Sequence, residues 1–222
     1  MKERAITRLG LLCSLTGLVS LYVTAAQLRP AVTPIARLND EFIGTKVMIS
    51  GEVVGLREHR DGHLFLKVKD ESGGVISVPV FARVRSKLNE SIELLDVVQV
   101  TGEVGKYRDE LQVVPNKASD LRIVHTPTVR LSTIGKDDLG ELVKIQAPVV
   151  EREIVGKGSL VLTLREDGSQ LPVFVPASIV RDGFPEVHVG YVIRVGGYLQ
   201  LYNDELELKL MNPAHIRVIE AA

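Results

Sequence analysis

The chain has 222 residues, room for one large domain or two small ones beyond any terminal extension. Hydrophobic residues make up 45% and charged residues 25%, so most of it should fold around ordinary cores. With 27 Lys and Arg against 28 Asp and Glu, a global attraction to nucleic acid or to an anionic membrane is excluded, and the single cysteine, Cys13, excludes an intramolecular disulfide and a thiolate metal cluster.

Lys2, Arg4 and Arg8 precede residues 9–26 (LGLLCSLTGLVSLYVTAA), which carry no charge. A helix of this length spans roughly 27 Å, marginal for a bilayer core. The basic flank and terminal position mark residues 1–26 as a signal-anchor or transmembrane helix, and the positive-inside rule then places everything after it outside the cytoplasm. The small residues of Val23-Thr24-Ala25-Ala26 also suit a signal peptidase, so secretion after cleavage stays open beside single-pass anchoring in the cell membrane. Residues 27–39, with Pro30 and Pro34, read as a linker.

From residue 40 onward one unit is written twice. Gly44 in IGTKVMISGEVV matches Gly140 in LGELVKIQAPVV at an offset of 96. Gly102, Tyr107, Asp109 and Glu110 match Gly197, Tyr202, Asp204 and Glu205 at an offset of 95, as do Leu121 and Ile123 with Ile216 and Val218. Two offsets one residue apart imply a tandem duplication, with domains over 40–125 and 130–220. In the first copy, strands are expected over 46–57, 63–70 and 75–81, a helix over 83–94, and strands over 96–106 and 110–114. Asp61-Gly62, Gly73-Gly74 and Arg108-Asp109 supply the turns. The second copy repeats the order with a shorter helix after Pro176 and a turn at Asn203-Asp204.

Three strands, a helix and two strands is the order of the OB-fold, so the expected fold is all-β: two tandem five-stranded barrels behind a membrane helix. VMISGEVV, VVQVTGEV and YRDELQVV, the last echoed by YNDELELK, resemble the OB-fold family of anticodon-binding and helicase-type nucleic-acid-binding domains. Gly51, Gly102 and Gly197 suit the sharp bends of a small barrel, and Ala147 stands where the second copy would repeat Gly51.

In such barrels the outer face of strands 2 and 3, with the first and last hairpin loops, is the usual ligand platform. HLFLKVKD turns Leu64, Leu66 and Val68 to the core and His63, Phe65, Lys67 and Lys69 outward, beside Val75, Ser77, Pro79 and Phe81 of the next strand. Rings for stacking and cations for phosphates are what a single-strand DNA or RNA binder needs, and Arg57, Arg60, Arg83, Tyr107 and Arg108 extend the track. Solvated lysines and a Phe packed on a neighbouring domain are the plainer account of the same residues, and five carboxylates lie nearby. The second copy offers one Phe and one Arg outward, Phe174 and Arg165, so it is expected to support the first or bind a protein partner.

Other chemistry is sparse. His59 and His63 flank a hairpin but find no third ligand, so neither a metal nor a cofactor is expected. The Asp-Glu dipeptides sit at turns, and no nucleophile or phosphate loop is evident, so no catalysis is expected. A membrane segment ahead of an OB barrel is also the plan of haem chaperones of cytochrome c maturation, but His188-Val189-Gly190-Tyr191 lacks their His-x-x-x-Tyr spacing. A membrane-tethered single-strand binder and an extracytoplasmic protein-binding scaffold remain as the two readings.

Overall fold

The computed structural model describes residues 13–18, 20 and 31–221. Residues 13–18 are helical, with Leu15 and Leu18 exposed. Among the described residues no helix is long and apolar enough to cross a membrane. This corrects the expectation of a transmembrane anchor over 9–26 and the location outside the cytoplasm argued from it. The remainder of 9–26 lies outside the described residues.

The rest is all-β. Strands β1 (Lys46–Glu58), β2 (Leu64–Lys69), β3 (Val75–Val80), β4 (Val97–Tyr107), β5 (Glu110–Val114) and β6 (Leu121–Val124) form the first sheet, with one short helix, α1 (Ala82–Arg85). The second has β7 (Leu142–Val155), β8 (Ser159–Glu166), β9 (Ser169–Val175), α2 (Ala177–Arg181), β10 (Val192–Tyr202), β11 (Glu205–Lys209) and β12 (Ile216–Glu220). In each sheet the first strand pairs with both the second and the fourth, and the third meets the fifth in parallel, which closes a five-stranded barrel. This is the OB topology, present in tandem. The sixth strand of each copy, laid along β4 or β10, extends the expected five.

Alternation fills each barrel. Leu64, Leu66 and Val68 point inward at 4%, 1% and 0% exposure, and their counterparts Leu160, Leu162 and Leu164 do the same at 4%, 0% and 0%. A bulge between Val53 and Gly55 recurs between Val149 and Glu151. Gly102 and Gly197 are required by close approach: a Cβ at Gly102 would lie 2.7 Å from the Val114 backbone, and one at Gly197 2.4 Å from Lys209 O. Ala147 fits where Gly51 stands in β1, buried at 2% and still paired with Ile193. The one-residue change of offset falls in the β2–β3 turn, where Lys69 pairs with Val75 but Arg165 pairs with Gln170.

Two expectations are corrected. The helix over 83–94 is a single turn: Val84, Leu88 and Ile92 have helical spacing, but Ile92 and Leu94 are both buried, the spacing of extended chain. The linker, in its described part, is docked and belongs to the repeat. Ile35, 5% exposed, donates its N–H to Asp70 as Leu131 does to Glu166. Burial pushes the Asp70 carboxyl up, but hydrogen bonds from Ser72 and from backbone amides, Ile35 among them, outweigh it and hold the group below its ordinary value.

The barrels are joined by buried charge. Asp96, 0% exposed, receives the Lys144 ammonium at 2.8 Å, His125 Nδ1 at 2.8 Å and the Glu93 amide at 2.8 Å. Arg194 grips both oxygens of Glu93 at 2.9 and 3.0 Å. Leu94 lies against Gly196, where a Cβ would come within 2.7 Å of its Cδ2. Glu93, Asp96 and His125 have the spacing of a cation site, with ligand atoms within 4.8 Å, and the Lys144 and Arg194 side chains supply the positive charge there. Replacing Lys144 with Met, the residue at the matching position 48, strands a buried carboxylate. Lys144→Met should cost about 3–5 kcal/mol in urea unfolding; a loss below about 1 kcal/mol would show that the pair does not hold the barrels together.

Candidate nucleic-acid interface

The outer face of barrel 1 is set by strand register. Phe65 lies opposite Arg57 on β1 and Pro79 on β3, and Lys67 lies opposite Gly55 and Ser77. The Arg57 guanidinium sits 5.1 Å over the Phe65 ring, and Arg108 sits 5.3 Å from the centre of Tyr107. Arg108-Asp109 makes the two-residue turn with φ of 48° and 64°, the left-handed pair that a tight hairpin needs, and so places the Tyr107–Arg108 stack at the rim.

These side chains border one groove. Arg57, Phe65, Lys67 and Tyr107 line it with Ser77, Pro79, Glu110 and Gln112, and Tyr198, Met211, Asn212 and His215 of barrel 2 close its far side. Gly55, which borders the groove, stands where barrel 2 has Glu151, and Gly105, whose Cβ would lie 3.5 Å from Gln112 Nε2, stands where it has Gln200. In barrel 2 Gln200 donates at 2.7 Å to the buried Glu207, which occupies the place of Gln112.

The charge is less free than the sequence implies. Lys67 Nζ is 2.8 Å from Glu110 Oε2, and Ser77 reaches the same oxygen at 3.5 Å. The Lys67 ammonium holds the Glu110 carboxyl below the usual carboxylate range. Lys67, Ser77 and Glu110 also border a second hollow that runs toward Ile35, Leu38 and Asp40, so the ion pair is a partition between the two.

Residues 47–121, the extent of barrel 1, match a family model described as OB-fold nucleic acid binding domain. Among curated proteins no match is found. Solved structures similar to the chain include a tetrameric p202 HIN2 domain (13% identity, 79% of this chain and 93% of that one, TM-score 0.47). A murine DNA binding protein bound with double-stranded DNA is 14% identical over 78% of this chain and 99% of that one, with a TM-score of 0.38. The asparaginyl-tRNA synthetase from Pyrococcus horikoshii is 18% identical over 49% of this chain and 28% of that one, also with a TM-score of 0.38. At these values the likenesses add nothing to what the strand order already states.

Of the residues expected at the site, Arg57, Phe65, Lys67 and Tyr107 meet at the groove, with Arg108 stacked on the last. The others do not. His63 Nδ1 accepts the Ala82 N–H at 2.9 Å and so caps α1, as Ser159 caps α2 through Ala177. Phe81 packs edge-on against His63, with centroids 5.4 Å apart. Arg60 borders a separate inter-barrel cleft, Arg83 is exposed on α1, and Lys69 is exposed at the far end of β2. Pro79, expected outward, does border the groove but is itself buried.

Sequence reasoning missed Gln112, Tyr198, Met211 and His215. Their signal was divergence between the copies: Tyr198 stands where the first copy has Glu103, and His215 where it has Asp120. His215 Nε2–H donates to Leu56 O at 2.9 Å across the barrels, while its buried Nδ1 has no partner among the described residues. Burial pushes this imidazole below its ordinary 6.5, and the bond to Leu56 restores only part of the loss. A depressed value in the folded state means that the neutral ring contributes stability above pH 6.5 that is lost as pH falls through the folded value. Thermal melts from pH 7.5 down to 5 should therefore fall more steeply in the wild type than in His215→Gln. Parallel curves would remove His215 from the account.

Proposed function

We propose that barrel 1 binds single-stranded nucleic acid, DNA or RNA, without catalysis, and that its ligand lies in the groove over β2 and β3. The observation that carries this is the convergence of two ring–guanidinium stacks, Phe65–Arg57 and Tyr107–Arg108, with Lys67 around one concave surface. Unpaired bases have free faces to stack on such rings, and the guanidinium groups beside them meet the phosphates. The family-model match over 47–121 supports the same reading. Barrel 2 lacks the pattern: Val161, Thr163 and Glu153 replace Phe65, Lys67 and Arg57.

Glu110 gives the proposal a test with two signs. A ligand phosphate must compete with this carboxylate for Lys67, so the groove as it stands should bind modestly. In fluorescence anisotropy with labelled single-stranded DNA and RNA, Phe65→Ala should weaken binding about 5- to 100-fold. Glu110→Gln should strengthen it about two- to five-fold, because the pair it breaks is exposed and weak. With about three phosphate contacts, the slope of log K against log salt should be about −2. No binding at low salt, or a Glu110→Gln variant that binds more weakly, would sink the proposal.

A further inference from the structure

We infer that barrel 2 completes this site, and that Tyr198 and Met211 take one base of the bound strand at the waist between the barrels. The inference rests on the proposed function of barrel 1. Both side chains border the same groove as Phe65 and Lys67 although they belong to the other barrel. They are left 40% and 50% exposed, on a surface whose neighbours are the walls of a groove of about 450 Å³, a size suited to a small ligand group.

Divergence of the copies points the same way. Tyr198 replaces a glutamate, Glu103, and Met211 replaces an amide, Asn116, so barrel 2 presents an apolar wall where the first copy carries polar groups. That wall is pre-set. His215, four residues beyond Met211, is tied to Leu56 O at 2.9 Å, and Leu56 itself borders the groove. A surface already fixed loses little conformational freedom when it binds. Gln112, whose amide has no hydrogen-bond partner among the described residues, lies on the same surface and can meet the edge of a base held there. An aromatic ring with an adaptable thioether beside it and a free amide is the equipment for one splayed base of a single strand.

The test uses the full chain with a short single-stranded oligonucleotide carrying 5-iodouracil. Irradiation should crosslink the strand to Tyr198 or Met211 as well as to barrel 1, read by peptide mass spectrometry. In anisotropy, Tyr198→Ala and Met211→Ala should each weaken binding at least about five-fold, and Tyr198→Phe should bind like the wild type. Thermal melts of each variant, with Tyr198→Phe as the reference, separate lost contact from lost fold. If Phe65→Ala loses affinity while the barrel 2 variants stay within about two-fold and crosslinks are confined to barrel 1, the composite site is wrong and the proposed function stands. If the wild type does not bind, both fall.

Discussion

The Asp96 carboxylate, fully buried between the barrels, constrains everything around it. A charge in that position is costly unless every lone pair is met, and here Lys144, His125 and the Glu93 amide all converge on it. Lys144 comes from barrel 2 and His125 from the connection, so one carboxylate fixes two domains and the segment between them. The groove exists because of this arrangement. Without a fixed second barrel, Phe65 and Lys67 would stand on an open convex sheet.

Duplication supplied two equivalent barrels, and departures from equivalence made them a pair. The positions that build the junction differ between copies: Asp96 against Tyr191, Lys144 against Met48, Gly196 against Thr101 and His215 against Asp120. Positions that build the barrels agree, as in Gly102 with Gly197 and Ile35 with Leu131. Selection on a closed barrel acts on each copy alike, because the same backbone contacts recur. Contacts between copies are heterologous, so each side of the junction needs different residues.

The proposed interface is balanced rather than strongly cationic. In the groove Lys67 is held by Glu110, and elsewhere on barrel 1 Lys106 is held by Asp40 and Arg85 by Glu58. In a chain with 27 basic and 28 acidic residues, that pairing follows from composition. Stacking therefore carries more of the expected affinity than charge does, and the Lys67–Glu110 pair, which separates two hollows along the same face, is the point at which a phosphate would make the difference.

Alternation and turn residues determined by themselves that two OB barrels lie in tandem. The inward faces of β1 and β2, the left-handed turns at Arg108-Asp109 and Asn203-Asp204, and the glycines of β4 and β10 all act through local backbone rules, which sequence records directly. The apolar spacing over 83–94 fits a helix, while burial of Leu94 against Gly196 depends on a residue about a hundred positions away. The same limit applied to the site. Phe65 and Lys67 are legible from strand period alone, whereas the same period turns His63 outward too and only the fold shows that it caps α1. Only the tertiary structure decided that Arg57 lies on Phe65, that Glu110 holds Lys67 and that Tyr198 and Met211 face them from the second barrel, because each is a contact between strands or domains and none has a period to read.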